Sequence, residues 1–194
     1  MSDYWTHELY DDALYACWAA DEDVTHCRTM IEPFGLDAHP APVVLDFGCG
    51  VGRLLFPFAE AHPNVWWVGV DTNPMMLQHA KATRSASPHP PRVVELVDRI
   101  PEYRFAAAYS MLVFQHMPPV DVAASLTRIC EVLEPGARFR FQFVPFGDAG
   151  EHNYPLSRGA LGTMLGMAGF AHWSFGKDDK FETWLWCTAM KGNT

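Results

Sequence analysis

A glycine-rich loop between two apolar segments constrains the fold of this 194-residue chain more than any other feature. Residues 43–45 form an apolar run without polar alternation, as a strand covered on both faces requires. The run leads into the glycine cluster of residues 46–52, and the residues from 54 to 61 can begin a helix. A second apolar run ends at Asp71, which lies 19 residues beyond Gly52. Strand, glycines, helix, strand and terminal acid in this order predict parallel strands with a ligand crevice at their carboxyl ends.

The remaining sequence continues the alternation of strand and helix. Apolar runs predict strands at residues 93–97, 106–111 and 137–144, with helices near 75–83 and 157–168. A further helix carries an apolar stripe and is expected to stop at Pro135-Gly136; the stripe comprises Val122, Leu126, Ile129 and Leu133. About eight residues separate the third strand from the fourth, so at most one helical turn is expected between them.

Two late aromatic-rich runs, residues 170–175 and 183–190, indicate a closing antiparallel pair. Trp184 and Trp186 lie on the same side of the second run, where sheet packing is a better explanation than ligand stacking. The whole pattern predicts a doubly wound α/β fold, mainly parallel, with helices on both faces and one reversed strand near an edge.

Composition limits the chain to one domain and argues against several classes of function. Apolar residues make up 49% of the chain, enough for a substantial core, and the net charge is −9. No basic run interrupts the acidic balance, which disfavours binding to a long phosphate backbone. Neither a membrane span nor a basic leader is visible, and five scattered cysteines are typical of reduced thiols. We expect a single cytoplasmic domain over residues 1–194, with an N-terminal helical cap over 1–40 and an α/β core over 41–190.

The glycine spacing separates two classes of nucleotide cofactor. A dinucleotide site prefers G-x-G-x-x-G, and its third glycine would fall at Arg53, whereas this loop reads G-x-G-x-G. Asp46, at the end of the first strand, is also poorly placed beside a pyrophosphate. Asp71 is placed to accept hydrogen bonds from two ribose hydroxyls. A nicotinamide-dependent oxidoreductase therefore remains only a minor alternative.

Several segments together resemble the class I S-adenosylmethionine-dependent methyltransferases. The similar segments are Asp46-x-Gly48-x-Gly50-x-Gly52 and residues 68–77, and more loosely residues 96–98, 109–119, 133–137 and 168–170. The resemblance covers residues from about 40 to 190. It implies a Rossmann-like sheet of seven strands in the order 3-2-1-4-5-7-6, with strand 7 antiparallel. It also implies that S-adenosylmethionine is the cofactor and S-adenosylhomocysteine the product.

The same resemblance assigns roles in cofactor binding. Gly48 and Gly50 would contact the methionine moiety of the cofactor through their backbone, and Asp46 would hold the ammonium group of that moiety. Ser110 would line the methionine side of the cofactor site. Asp71 would bind the ribose, Thr72 and Met76 would flank the ribose or the adenine, and Asp98 would accept from the adenine amino group. Cys49 is included as a small residue inside the loop, where packing is a better explanation than nucleophilic chemistry.

Methyl transfer from a sulfonium needs no general acid, because its leaving group is a neutral thioether. A general base is needed only when the acceptor must lose a proton, and a neutral imidazole near its ordinary pKa of about 6.5 can serve. His116, in the turn after the fourth strand, is the candidate base, with His152 in reserve. The alternative is that His116 only caps the loop by bonding its backbone.

We expect the acceptor to be a small molecule methylated on oxygen or nitrogen, and the chain to act as a monomer or homodimer without nucleic acid or membrane partners. The acceptor side is expected to combine three segments: the region of Tyr4, Trp5 and Tyr10, the loop after strand four, and residues 145–155. A cofactor-binding sensor without catalysis is the alternative function. No metal is expected, because the histidines lack ligand spacing. The pairs Asp11-Asp12 and Asp178-Asp179 are interpreted as solvated surface charge.

Overall fold

A computed structural model describes residues 31–86, 94–145, 154–178 and 184–193. The strands are β1 (Val43–Phe47), β2 (Trp66–Val70), β3 (Val94–Val97), β4 (Phe105–Ser110), β5 (Leu133–Phe143), β6 (Phe170–Lys177) and β7 (Leu185–Lys191). The helices are α1 (Leu55–Ala61), α2 (Pro74–Ala86), α3 (Pro119–Val132) and α4 (Arg158–Ala168). The sheet has seven strands in the order β3-β2-β1-β4-β5-β7-β6, so the predicted fold class is confirmed.

The chain divides into two compact units, and the described residues up to Pro101 form the first. Its three strands are parallel, with β2 between β1 and β3. Their apolar residues are buried as the uninterrupted runs predict, including Val44, Leu45 and Val68 at 0% exposure. Trp67 is also fully buried, and its ring lies 6.0 Å from that of Phe58 in α1. The glycine loop therefore follows a strand that is rigidly packed.

The described residues from Glu102 onward form the second unit. Here β4 and β5 are parallel, while β7 runs antiparallel to both β5 and β6. Phe139 and Phe141 of β5 stack with ring centroids 4.7 Å apart. The α3 stripe is fully buried at Val122, Leu126 and Ile129, as the sequence predicts. The terminal hairpin thus supplies the one reversed strand.

The boundaries of α3 and α4 follow local chemistry. Ser157 caps α4 by accepting the Ala160 N–H at 3.2 Å, and Gly169 ends the helix in a left-handed conformation. The prediction that α3 continues to Pro135-Gly136 was wrong, because α3 ends at Val132 and β5 begins at Leu133. Pro135 disfavours the helical conformation of the residue before it, which explains the earlier end.

The other expectations have mixed outcomes. No helical turn is present in residues 98–104, in agreement with the short connection. The N-terminal helical cap falls mostly outside the described residues; from Ile31 onward there are two short 3-10 turns, Glu32–Phe34 and Leu36–Ala38. The single-domain boundaries stay a prediction. Among the described helices, none has the length and apolar character needed to cross a bilayer.

Candidate functional site

The end of β2 holds the glycine loop through hydrogen bonds from the loop backbone. The carbonyl oxygen of Val70 accepts the N–H groups of Gly48 at 2.7 Å and Cys49 at 3.0 Å. The Asp71 carboxylate accepts the Gly50 N–H on Oδ2 at 2.8 Å. Three consecutive loop amides are therefore fixed to the strand that ends in the predicted ribose ligand.

The loop glycines adopt backbone angles that favour glycine over all other residues. Gly48, Gly50 and Gly52 have φ values of 78°, 54° and 84°. A Cβ at Gly52 would also clash with the ring of Phe56, whereas a Cβ at Gly50 would meet no protein atom within 4 Å. The backbone at Gly50 is therefore open to close approach, and only its conformation requires glycine there.

Asp71 is a partly buried carboxylate with two backbone donors. Its Oδ1 accepts the Asn73 N–H at 2.8 Å, so each oxygen has one backbone partner. Burial raises the pKa of Asp71, against the lowering effect of the bonds from Asn73 and Gly50. The carboxylate consequently gains from any further donor that compensates for lost hydration.

Cys49 is a protonated packing residue in this setting. Burial raises its thiol pKa well above the ordinary value, and the charges of Asp46 and Asp71 raise it further. Its Sγ would lie 2.9 Å from a Cβ added at Gly69, which shows how tightly it packs under the loop. The geometry agrees with the expected packing role, and the two carboxylates give the loop a negative environment.

Asn73 is a site residue that the sequence analysis missed. Besides its backbone bond to Asp71, its side-chain Oδ1 accepts the N–H groups of Met75 at 2.9 Å and Met76 at 3.4 Å. It thereby caps α2, whose first residue is Pro74. An Asn followed by Pro at the start of a helix is the signal that would have identified it.

The structure brings most of the remaining first-unit candidates near the end of β2. Met76 is 6% exposed on the first turn of α2, and Thr72 is exposed before it. Asp98 is exposed and follows β3 directly. The Asp71 N–H donates to the Val97 carbonyl at 3.2 Å, so the backbones that lead to Asp71 and Asp98 lie side by side. Asp46 is 4% exposed within β1.

The second unit contains Ser110 and His116. Ser110 ends β4 and is 1% exposed. His116 is half-buried in a 3-10 turn, Phe114–His116, and its Nε2 lies 3.3 Å from Nε2 of Gln115. The backbone carbonyl of Gln115 accepts the Tyr154 N–H at 2.6 Å, which fixes the turn. Both interpretations of His116 stay predictions.

Several expectations concern residues that are not described. Tyr4, Trp5, Tyr10 and His152, together with most of the segment 145–155, lie outside the described residues. Asp11, Asp12 and Asp179 do so as well.

The expectation that Asp178 is solvated surface charge was wrong. This residue is 5% exposed and accepts a hydrogen bond from Gln142. Trp186 is buried with the Arg140 guanidinium 5.1 Å from its ring centre, in agreement with sheet packing. In the described parts of the chain, no three His, Cys, Asp or Glu side chains group as a metal site requires.

Comparison with known proteins gives one family match and several distant relatives. A family model described as "Methyltransferase domain" matches residues 44–136. The tRNA N(3)-cytidine methyltransferase METTL6 of Homo sapiens is 26% identical over 130 residues, which cover 63% of this chain and 44% of the human protein. The chain thus spans less than half the length of this curated relative.

Solved structures share the fold at low sequence identity. Magnesium protoporphyrin IX methyltransferase (ChlM) from Synechocystis PCC 6803, with bound SAM, has a TM-score of 0.71 at 16% identity and covers 98% of this chain and 89% of its own. Phosphoethanolamine N-methyltransferase 2 of Haemonchus contortus, in complex with S-adenosyl-L-methionine, has a TM-score of 0.76 at 16% identity. That match covers 98% of this chain and 59% of the Haemonchus chain. At such identities the similarity shows the fold alone.

Proposed function

We propose that the chain, whose residues 44–136 match a family model described as "Methyltransferase domain", is a class I S-adenosylmethionine-dependent methyltransferase that methylates an oxygen or nitrogen atom of a small-molecule acceptor. When bound, the cofactor supplies an electrophilic methyl group on a sulfonium. The observation that carries the proposal is the Asp71 carboxylate, which organises the glycine loop through Gly50 and keeps acceptor capacity for a ligand.

The residues around Asp71 fit the cofactor. An ionised carboxylate has about four acceptor sites, and the Gly50 and Asn73 amides use one on each oxygen. Two ribose hydroxyls can donate to the sites that remain. The open backbone at Gly50 permits close approach of the methionine moiety, and Asp46 with Asp71 provides negative charge for a cationic ligand.

The other candidates complete the proposed cofactor site. Asp46 would hold the ammonium group, and Gly48 with Gly50 would contact the methionine backbone. Met76 and Thr72 would flank the ribose or adenine, Cys49 would pack beneath the loop, Asp98 would accept from the adenine amino group, and Ser110 would line the methionine side. These groups bind and orient the donor, which is most of what an in-line displacement needs from a protein.

His116 is the proposed general base for an acceptor that must lose a proton. The amide of Gln115 lies beside its Nε2, so the orientation of that amide sets which ring nitrogen is basic. If the amide N–H donates to Nε2, the proton of the neutral ring is on Nδ1. If the amide oxygen accepts from Nε2, the ring proton is on Nε2 and Nδ1 is the basic nitrogen.

A ligand panel tests the cofactor assignment by thermal unfolding. S-adenosylhomocysteine at about 100-fold over its Kd should stabilise the protein by about 2.7 kcal/mol, whereas NAD(P) should have no effect. Asp37→Asn is the matched control, because Asp37 is an exposed aspartate in the Leu36–Ala38 turn. It should keep the full shift, while Asp71→Asn should lose about half of it or more. Stabilisation by NAD(P) alone would overturn the assignment.

An RNA base is the second candidate acceptor, because the curated relatives are named as tRNA cytidine methyltransferases. The net charge of −9 favours the small molecule, since RNA-binding surfaces neutralise phosphates with Lys and Arg. A labelled methyl donor incubated in parallel with total tRNA and with pooled amines, alcohols and carboxylic acids separates the two. Label that enters tRNA would contradict the small-molecule proposal, and label that enters neither pool would favour a non-catalytic binding protein.

We also propose a cytoplasmic location and action as a monomer or homodimer without a membrane partner. The support for the location comes from Cys49, Cys130 and Cys187, which are all free and buried. Burial raises the thiol pKa of each, so all three stay protonated. Reduced thiols of this kind are typical of a reducing compartment. Fractionation with detection of the native protein tests the location.

A further inference from the structure

The backbone at Leu112 is strained, two residues after β4 ends. Its φ is 60°, and within the described ranges no other residue except glycine has a positive φ. A branched side chain in the left-handed region is disfavoured by contact between Cβ and the backbone. Such a conformation persists only where the surroundings enforce it, and it is common at binding sites.

Gln142 supplies the group that enforces it. This β5 residue is 0% exposed, and its Oε1 accepts the Leu112 N–H at 3.3 Å. The bond would be lost if Leu112 relaxed to an ordinary conformation that turned its N–H away. The amide of Gln142 would then be buried without this donor, which is costly.

Asp178 fixes the orientation of the Gln142 amide in turn. Its Oδ2 accepts the Gln142 Nε2–H at 2.5 Å, and an acceptor there requires the amide nitrogen on that side and the oxygen toward Leu112. Asp178 is 5% exposed, and its own N–H donates to the Trp184 carbonyl at 3.2 Å. A buried chain of hydrogen bonds therefore runs from the base of the terminal hairpin, through β5, to the segment after β4.

The packing of β5 in the core does not by itself require this chain of hydrogen bonds. The neighbouring β5 residues Phe141 and Phe143 fill the core with apolar side chains. A buried amide and carboxylate stabilise a protein no better than well-packed apolar residues, so their value is in fixing one geometry.

We propose that Gln142 and Asp178 are positioning residues that hold residues 111–113 in the conformation required by the methionine end of the cofactor. This inference rests on the proposed function, in which Ser110 lines the methionine side. Neither residue contacts the reacting atoms; they act through the backbone of Leu112.

The test compares two probes that differ only at the methionine end. Gln142→Met keeps the length of the side chain and removes both hydrogen bonds. Left-handed strain of the usual size predicts that S-adenosylhomocysteine binds about five- to thirtyfold more weakly to this variant. Binding of 5′-methylthioadenosine, which lacks the amino-acid part, should stay within about twofold of wild type.

Rescue separates positioning from a general loss of packing. Glycine adopts a positive φ without cost, so Leu112→Gly added to Gln142→Met should restore most of the lost S-adenosylhomocysteine affinity. Met111→Gly is the matched control, because it adds flexibility one residue earlier and should not rescue. If Gln142→Met does not fold, Leu112→Val replaces it, since a β-branched residue at positive φ increases the strain while Gln142 is intact.

The outcomes separate a failure of the proposed function from a failure of the positioning role. Wild-type protein that binds neither probe contradicts the proposed function. Wild-type binding of both probes, with equal weakening of both by Gln142→Met or no rescue by glycine at position 112, overturns the positioning role. Selective weakening with rescue supports it.

Discussion

Asp71→Asn replaces one carboxylate oxygen by an NH₂ group and changes little else. The retained oxygen can still accept from Asn73, but the new amide would then face the Gly50 N–H, donor against donor. The loss is one hydrogen bond to a charged acceptor, about 1.5–3 kcal/mol in a typical protein. The gain is that a charge no longer has to be buried.

The direction of the Asp71 pKa shows that these two effects oppose each other in the free protein. Its pKa is raised, chiefly by burial, so the ionised side chain is less favourable in the folded state than in the unfolded one. We expect the free energy of unfolding of Asp71→Asn to stay within about 1 kcal/mol of wild type. Cofactor affinity should fall more, by about 10- to 150-fold, because a neutral amide cannot accept from both ribose hydroxyls.

The pH dependence follows with opposite signs for stability and binding. Because the folded pKa of Asp71 is raised, its contribution to stability is greatest below the unfolded pKa and is lost as pH rises through the folded pKa. In the proposed site, ribose hydroxyls would donate to the ionised form, so bound cofactor would lower this pKa and binding would release a proton. Affinity should therefore be constant above the raised pKa and fall as pH drops through it.

Isothermal titration with S-adenosylhomocysteine between neutral and acid pH measures both effects. Wild type and the exposed-site control Asp37→Asn should lose affinity in acid, whereas Asp71→Asn should be weak and should lack the part of the pH dependence that comes from Asp71. Wild-type affinity in Asp71→Asn, or the same pH profile in both, would refute the assignment of the ribose to this carboxylate.

Three further predictions concern packing, capping and catalysis. Gly69→Ala should lower the melting temperature, because its Cβ would lie 2.6 Å from Leu55 Cδ2 and 3.0 Å from Leu96 Cδ2; overpacking of this kind costs about 1–3 kcal/mol, and an unchanged melt would mean that the leucines move aside. Ser157→Ala should destabilise the protein by about 1 kcal/mol in urea unfolding, since it removes the α4 cap, and Ser157→Asp should restore the loss. His116→Ala should reduce turnover by about 10²–10⁴-fold with S-adenosylhomocysteine affinity intact if His116 is the base; a lower melting temperature with unchanged turnover would favour the structural interpretation.

The strands and most helices could be predicted because the local sequence pattern and the tertiary packing favour the same elements. Unbroken apolar runs produced β1 and β2, and the Ser157–Gly169 pair marked both ends of α4. The apolar stripe placed the end of α3 too late, because Pro135 and tertiary contacts together end the helix at Val132. Arg104 Nη1 donates to the Glu131 carbonyl at 2.6 Å, and Lys191 Nζ donates to Leu133 at 2.7 Å, so distant cations satisfy the last carbonyls. Apolar periodicity carries no information about such partners.

Candidate site residues that lie in a sequence motif could be identified from the sequence. A residue whose role depends on a hydrogen bond to a distant backbone amide could not. Asp71 and Gly50 follow from spacing, because strand ends and glycine loops repeat across the fold. Gln142 does not, because its role depends on the Leu112 N–H, which lies 30 residues away along the chain. The interpretation of Asp178 as surface charge was wrong for a related reason. Burial of a carboxylate depends on a partner from another strand, here Gln142.

The double use of the Asp71 carboxylate also bears on which nucleotides the site accepts. Both oxygens are already bound to backbone donors, so the sites left for a ligand suit two hydroxyl donors and no acceptor. A ribose with a 2′-phosphate would bring an anion toward Asp71. The anion would also meet the negative charge of Asp46, which acts on Cys49 in the same loop. Like charges repel more strongly in a partly buried setting than in bulk water. The electrostatics of the loop therefore favour a cationic donor with a free ribose over a phosphorylated dinucleotide, independently of the glycine spacing.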